Sequence, residues 1–303
     1  YLKKKEQVLF FLNRRGYAPF LICKKCGFKH SCSNCSIYLT YHKSINKLIC
    51  HHCGLKTKKE SKCKADNNLC DFNEYGPGVE KIYEELKLKF KNKTINIFSS
   101  DFLKKKKETL GLLKKIEDNK IDILVGTQMI SKGYNFPKLN CIVVVDADFS
   151  GKGYDLRTTE KNIQLYNQLS GRAGRFLKNS LIIYQTISPS NETLKDILEN
   201  NPDKFLFNEL ALRKKNRLPP FYRLISLILS AVSAHDSFRA AQEIKKKLSG
   251  ILDIEILGPV DSPIFKVKKK YRTRLLIRSQ NSSLIQKKIA KVLENLVISK
   301  KIK

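Results

Sequence analysis

Two arginines at the end of a helical segment are well placed to bind an anion. The segment QLYNQLSGRAGR, residues 164–175, is amphipathic and ends in Gly-Arg-Ala-Gly-Arg. Arg172 and Arg175 are three residues apart, so both guanidinium groups leave the same face of a helix end. Because guanidinium is always charged and matches phosphate with paired hydrogen bonds, the spacing predicts a phosphate clamp. A solvated basic helix end is the alternative interpretation.

The cysteines are a second group of residues with a possible chemical role, metal binding. Eight of the nine cysteines lie between positions 23 and 70, which favours metal over disulfides in a reducing compartment. C-x-x-C spacing lets two thiolates bind one tetrahedral zinc ion, and three such pairs occur: Cys23 with Cys26, Cys32 with Cys35, and Cys50 with Cys53. A fourth pair begins at Cys63, but Asp66 occupies the partner position and the next cysteine is Cys70. We expect two zinc ions, one of them held by four cysteines. For the other, the fourth ligand is Asp66, Cys70 or water.

Alternating strands and helices must position these groups. The predicted elements are strands at 6–12, 94–100, 122–128, 141–148 and 181–186, and helices at 76–90, 104–118 and 158–171. This alternation predicts a parallel sheet with helices on both faces. Ligands of such folds bind beyond the carboxyl ends of the strands, where the loop GTQMISKGYNFP, residues 126–137, belongs.

That loop has features of an anion site. Its small-residue turn after a buried strand presents backbone N–H groups and the Thr127 hydroxyl, and Lys132 adds a charge. An ordinary strand-to-helix connection is the alternative interpretation.

The carboxyl-terminal part has a different pattern. A charged helical stretch ends at Pro219-Pro220, and residues 221–303 read as strand, helix, two strands and helix. We expect a small α+β domain with a split β-α-β arrangement. Residues 264–279 are interpreted as one strand that alternates basic and apolar residues. One face of it is either a nucleic-acid surface or a solvated edge protected by lysines.

The composition favours a polyanionic partner. Lys+Arg number 59 against 28 Asp+Glu, a net charge of +31, which points to nucleic acid unless it reflects a lysine-biased genome. The apolar stretch near the amino terminus, residues 8–12, is too short for a signal peptide, and no run is long enough to cross a bilayer. The sequence therefore predicts a cytoplasmic protein with no membrane partner.

Taken together, GTQMISKGYNFP and QLYNQLSGRAGR resemble motifs V and VI of superfamily 2 helicases. With the cysteine region between FFLNRRGYAPFLICKKCG and YGPGVEKI, and with LPPFYRLISL and ILGPVDSPIFKVKKKYR after it, the chain resembles the PriA (primosomal protein N′) family of replication-restart DNA helicases. The resemblance covers essentially the whole chain. It implies an ATP-dependent 3′–5′ DNA helicase.

Several residue roles follow from the resemblance alone. It implies nested zinc sites, one of Cys32, Cys35, Cys50 and Cys53, the other of Cys23, Cys26, Cys63 and the position of Asp66. In motif V, the residues that couple ATP and DNA contacts would be Gly126, Thr127, Gln128 and Lys132. In motif VI, the residues that face the ATP γ-phosphate would be Gln168, Arg172 and Arg175, with Arg175 as the arginine finger.

The resemblance also implies an organisation into four parts. Residues 1–21 and 71–190 would form the RecA-like carboxyl-terminal helicase lobe, 22–70 the inserted zinc-binding module, 191–220 a helical linker, and 221–303 the carboxyl-terminal α+β domain. The partners implied are forked and single-stranded DNA, the single-stranded-DNA-binding protein and primosome proteins. The chain would act as a monomer.

Two motifs that helicase motors need for ATP hydrolysis are missing from the sequence. It contains no GxxxxGK[ST] motif and no DEAH-type acidic box, which hold ATP and Mg²⁺ in such motors. The chain is therefore expected to be a carboxyl-terminal fragment without helicase lobe 1 and inactive alone. Two rivals are a complete, non-enzymatic nucleic-acid-binding zinc protein and an enzyme that uses zinc catalytically. A site closed by four cysteines speaks against the second rival.

Overall fold

The computed structural model describes most of the chain, in two compact units. The described residues are 1–12, 20–59, 62–63, 68–76, 78–100, 102–103, 105–131, 134, 136–148, 155–171, 180–199, 202–280 and 285–294. Unit 1 comprises Tyr1–His30, Tyr38–Ile49 and Lys56–Asn201. Unit 2 comprises Ser31–Ile37, Cys50–Leu55 and Pro202–Lys303.

Strands and helices follow in this order. The strands are β1 Gln7–Phe11, β2 Phe20–Cys23, β3 Thr40–His42, β4 Lys47–Ile49, β5 Lys56–Thr57, β6 Phe72–Tyr75, β7 Ile95–Phe98, β8 Ile123–Gly126, β9 Leu139–Val144, β10 Leu181–Tyr184, β11 Arg223–Ala231, β12 Ile254–Val267 and β13 Lys270–Ser279. The helices are α1 Val79–Lys89, α2 Lys106–Glu117, α3 Thr158–Ser170, α4 Glu192–Leu198, α5 Pro202–Lys215, α6 Ala234–Leu248 and α7 Ile285–Glu294. None of the helices within the described ranges is long and apolar enough to cross a membrane.

The main sheet of unit 1 is parallel throughout, as the sequence predicts. Its strand order is β10-β9-β1-β8-β7. Apolar side chains of β1 alternate between its two faces, Leu9 and Phe11 on one and Phe10 on the other. Helices α2, α3 and α4 cover the first face and α1 covers the second, so the sheet has helices on both sides. The carboxyl ends of the five strands therefore share one edge.

The carboxyl-terminal part of unit 2 contains the expected split β-α-β arrangement. Its antiparallel sheet has the order β11-β13-β12, with β13 between the two strands that α6 connects. One sequence-based interpretation is wrong: residues 264–279 are not a single strand. The chain turns back at Lys268 and Lys269, so Val267 pairs with Lys270 and the basic stretch forms a hairpin.

Candidate functional site

Seven of the nine cysteines lie in four turns closed by the same backbone hydrogen bond. In each turn, the N–H of the first cysteine donates to the carbonyl oxygen five residues later, at 2.7–2.9 Å. The four bonds join Cys23 to Phe28, Cys32 to Ile37, Cys50 to Leu55, and Cys63 to Asn68. Gly27 and Gly54 follow the second cysteine of their pairs with φ of 68° and 79°, a conformation that glycine adopts without strain. The fourth turn closes although it has no second cysteine.

Four thiols of unit 2 converge on one point, and we call them the four-cysteine cluster. The sulfur atoms of Cys32, Cys35, Cys50 and Cys53 all lie within 4.8 Å of one another. The Sγ atoms of Cys32 and Cys53 are 3.6 Å apart. Tetrahedral Zn–S bonds of about 2.3 Å place sulfurs about 3.8 Å apart, so the donor set and its spacing fit zinc.

The thiol pKa values in this cluster show why it needs a cation. Burial raises the pKa of Cys32 to about 12. A backbone hydrogen bond from Leu55 lowers the pKa of Cys53 to about 7. Four crowded sulfurs cannot all be ionised without a positive charge among them, and a divalent metal supplies that charge.

Three thiols of unit 1 form a second group, the three-cysteine cluster. The sulfur atoms of Cys23, Cys63 and Cys70 lie within 4.8 Å of one another, with Cys23 and Cys63 3.7 Å apart. A backbone hydrogen bond from Cys26 lowers the pKa of Cys23 to about 6, which favours its thiolate. These three sulfurs also fit a zinc site.

Strand pairing explains why Cys70 reaches this cluster. Strands β2 and β6 are antiparallel, with Cys23 opposite Phe72. The Lys24 N–H donates to the Asp71 carbonyl at 2.8 Å, which continues the pairing towards Cys70. Of the alternatives left open by the sequence, this geometry favours Cys70. Asp66 lies outside the described residues, and Cys26 is not among the three mutually close sulfurs, so both stay predictions as ligands.

Three of the motif V residues, Gly126, Thr127 and Gln128, lie at the carboxyl end of β8, a strand between β1 and β7. The Gly126 carbonyl accepts from the Leu12 N–H at 2.9 Å, and the Thr127 N–H donates to the Phe98 carbonyl at 3.4 Å. A Cβ atom on Gly126 would lie 2.0 Å from Cδ1 of Ile130, so a larger residue here would require the Ile130 side chain to move.

Beyond that glycine the chain bends into a 3₁₀ helix, Gln128–Ser131. Thr127 is buried, and its carbonyl accepts from the Ile130 N–H at 3.0 Å. Gln128 is exposed at the sheet edge. Lys132 lies outside the described residues, so its role stays a prediction.

The motif VI helix α3 packs on the same sheet. Its residues Leu165, Tyr166 and Leu169 are buried in the core, whereas Gln168 is exposed. The Tyr166 hydroxyl donates to the Ala147 carbonyl at 3.4 Å, beyond the end of β9, and burial raises the Tyr166 pKa to about 12. Arg172 and Arg175 lie outside the described residues, so the phosphate clamp and the roles of Gln168 and both arginines stay predictions.

The sequence alone assigns no role to one acidic side chain at this edge, Asp148. Asp148 follows β9, and its carboxylate accepts from the Thr186 hydroxyl at 2.7 Å and from the Ile187 N–H at 2.9 Å. The two bonds join the ends of β9 and β10. Two acidic residues after a buried strand, Asp146 and Asp148, were the only signal in the sequence.

Three family models match successive parts of the chain. A model described as the PriA DNA helicase Cys-rich region domain matches residues 32–58. A helicase conserved C-terminal domain matches residues 56–177, and a primosomal protein N C-terminal domain matches residues 214–303. The matches therefore include the cysteine turns that begin at Cys32, Cys50 and Cys63, the edge of β8, helix α3 and the carboxyl-terminal sheet.

Curated relatives match nearly the whole chain. A replication restart protein PriA of Rickettsia conorii is 39% identical over 286 residues, 94% of this chain and 44% of that protein. The chain belongs to the PriA family. Its PriA relatives from Borreliella burgdorferi and Bacillus subtilis are 35% and 33% identical over 97% of this chain.

The family matches account for the four-cysteine cluster and the parallel sheet of unit 1. This chain spans about 44% of the length of the first matched PriA proteins. The PriA Cys-rich region matches at the four-cysteine cluster, which supports zinc as the metal of that cluster. The parallel sheet of unit 1 has the fold of a helicase carboxyl-terminal lobe.

Proposed function

We propose that this chain is the second motor lobe, zinc region and carboxyl-terminal domain of an ATP-dependent 3′–5′ DNA helicase of replication restart. The observation that carries the proposal is the edge of β8, where Gly126 packs closely against the Ile130 side chain. That edge and helix α3 lie within the region matched by the helicase C-terminal domain. Their arrangement is suited to couple a nucleotide to DNA.

In this proposal ATP lies between two lobes, and this chain supplies one side of the cleft. The other lobe provides the P-loop and the carboxylate that holds Mg²⁺, which this sequence lacks. Arg172 and Arg175 reach the γ-phosphate, where arginine fingers are generally worth about 10³–10⁵ in rate. Gly126, Thr127, Gln128 and Lys132 transmit lobe closure to the bound strand, and Gln168 links α3 to the nucleotide.

The proposed partners follow from charge and family. A net charge of +31 attracts the phosphate backbone of forked or single-stranded DNA. The proposal includes the single-stranded-DNA-binding protein and primosome proteins as partners, and a monomeric motor. We further propose that the chain has four parts with separate roles: the helicase lobe at 1–21 and 71–190, the zinc-binding module at 22–70, the helical linker at 191–220 and the carboxyl-terminal domain at 221–303.

The proposal is tested in the protein that carries both lobes. We expect Arg175→Ala to lower DNA-stimulated ATP hydrolysis by about 10³-fold or more, with DNA affinity nearly unchanged. Arg157→Ala is a matched control, because Arg157 is an exposed arginine beside the opposite end of α3. ATP hydrolysis is measured with and without forked DNA.

Two results would count against the proposal. Wild-type ATP hydrolysis by the Arg175→Ala variant would remove this residue from the nucleotide site. A protein that binds DNA and zinc but hydrolyses no ATP in any assembly would favour the rival, a non-enzymatic zinc protein.

A further inference from the structure

The β12–β13 hairpin of unit 2 ends in an unusual turn. Its two central residues, Lys268 and Lys269, have φ of 51° and 66°. Two-residue hairpin turns with both φ values positive favour Asn-Gly or Gly-Gly, because other side chains are strained there. Strained residues of this kind persist where neighbouring contacts hold them.

The turn donates both of its N–H groups to the first cysteine turn of the four-cysteine cluster. The Lys268 N–H donates to Sγ of Cys35 at 3.4 Å. The Lys269 N–H donates to the carbonyl oxygen of Asn34 at 2.8 Å. A zinc ligand and the residue before it therefore receive hydrogen bonds from a hairpin more than 230 residues away in the chain.

Lys266 strengthens the same contact from the strand. Its N–H donates to the Ser36 hydroxyl and its carbonyl accepts from the Ser36 N–H, both at 2.9 Å. Its ammonium group donates to the Ser33 carbonyl at 3.2 Å. The whole turn from Ser33 to Ser36 is thus bonded to the hairpin.

We propose that Lys266, Lys268 and Lys269 form the outer shell of the zinc site in the four-cysteine cluster, so that zinc retention there and the order of the hairpin depend on each other. An N–H donor stabilises the negative charge of a thiolate, and only a thiolate binds zinc. Outer-shell partners typically change metal affinity by about 10–100-fold. By reciprocity, zinc binding must stabilise the hairpin conformation that donates these bonds.

The three-cysteine cluster provides an internal reference. Its cysteines belong to unit 1, whereas the hairpin and the four-cysteine cluster belong to unit 2. A change that acts through the hairpin should therefore affect one cluster and leave the other as it was. General unfolding would affect both.

The first experiment measures alkylation of individual cysteines in the zinc-loaded full chain, with excess chelator, by peptide mass spectrometry. In the test variant, a flexible four-residue Gly/Ser segment replaces Lys268 and Lys269 and moves the donors away. The matched control is Lys268→Gly, which keeps both N–H donors and relieves the strain at one position. A milder pair is Ser36→Ala, which removes one acceptor, and Ser33→Ala, which keeps the carbonyl acceptor.

We expect the turn replacement to speed alkylation of Cys35 and Cys53 about tenfold or more, and Ser36→Ala to speed it less. Lys268→Gly and Ser33→Ala should match the wild type, and Cys23 and Cys63 should be unchanged throughout. Unchanged rates at Cys35 in the turn replacement would overturn the proposal. Equal acceleration of both clusters would also overturn it, because the effect would then be general.

The second experiment needs no variant. Hydrogen exchange of the wild-type chain is compared with zinc loaded and with zinc removed. We expect the amides of Lys268 and Lys269 to lose protection on zinc removal, while β11, at the far side of the same sheet, keeps its protection. Equal protection of the turn in both states would show that the hairpin and the metal site are independent.

Discussion

The two cysteine clusters have the same local turn but differ in their donors and in the unit that holds them. Each combines two turns closed by an N–H bond to the carbonyl five residues later. The four-cysteine cluster takes two thiols from each of its turns and lies with the β12–β13 hairpin in unit 2. The three-cysteine cluster takes one thiol from each turn and a third from Cys70, beside β6 in unit 1.

The difference shows what a short motif determines and what the fold determines. C-x-x-C spacing suffices to build a turn and half of a tetrahedral site. Where one cysteine of a pair is missing, the remaining ligand depends on which strand the chain pairs with next. Strand pairing between β2 and β6 therefore decides the chemistry of the three-cysteine cluster.

Removing a central ligand of the four-cysteine cluster should have the largest effect. Cys50 is fully buried, and Cys50→Ser replaces a thiolate by a weak donor in a closed site. Structural zinc contributes roughly 10–16 kcal/mol of binding free energy in small zinc domains. The variant should therefore lose this zinc ion, and its melting temperature should be lower than that of the wild type. Metal content per chain and thermal unfolding measure this, with Ser33→Ala as the control. Full zinc content in Cys50→Ser would contradict the assignment.

Substitution of Cys70 should weaken zinc binding by the three-cysteine cluster, whereas substitution of Asp66 should not. Cys70→Ser should reduce the zinc bound by this cluster by about 10-fold or more in affinity, because a thiolate ligand is lost. Asp66→Ala is the paired variant and should retain zinc. The zinc affinities of the two variants are compared by competition with a chelator, with the alkylation of Cys63 as the measure of zinc loss. The reverse ranking would make Asp66 the ligand.

A destabilising substitution in the main sheet should lower the stability of unit 1, which holds the three-cysteine cluster, and leave that of unit 2 unchanged. Gly126→Ala places a methyl group 2.0 Å from Ile130 Cδ1, and such overpacking costs about 1–3 kcal/mol. Because Gly126 and the three-cysteine cluster share unit 1, denaturant should expose Cys23 at a lower concentration while Cys35 keeps its protection. Pulsed alkylation during a urea titration measures both. A parallel loss at Cys35 would show that the units unfold together.

The smallest expected effect is in unit 2. The hydroxyls of Ser237 in α6 and Thr273 in β13 are 2.9 Å apart and buried, so Ser237→Ala leaves Thr273 without this partner. The free energy of unfolding of unit 2 should fall by about 1 kcal/mol. Ser249→Ala, at the exposed end of α6, is the control. An unchanged midpoint of unfolding in urea for Ser237→Ala would mean that the bond contributes nothing.

The sequence predicts the sheet well because its signals are local. Apolar runs at β8 and β9 and the amphipathic pattern of α1 and α3 determine a parallel sheet with helices on both faces. The split β-α-β unit follows from the same patterns. The sequence predicts a turn at Gly126, but the crowding at this position comes from the Ile130 side chain, whose packing depends on the fold.

What the sequence leaves unpredicted depends on contacts between distant segments. The turn at Lys268 and Lys269 was missed because neither residue is a turn former, and contacts with the cysteine turn of Asn34 hold it. The role of Cys70 depends on the register of β2 and β6. Both cases need the tertiary fold, because the decisive partner lies far away in the sequence.

DNA unwinding by the protein that carries both lobes tests directly whether it is an ATP-dependent 3′–5′ helicase. The substrates are duplexes with a single-stranded 3′ or 5′ tail, incubated with ATP and Mg²⁺ under single-turnover conditions. We expect ATP-dependent strand separation from the 3′-tailed substrate, lost in Arg175→Ala and retained in Arg157→Ala. Absence of unwinding by the wild type on either substrate, or unwinding by Arg175→Ala at the wild-type rate, would contradict the proposal.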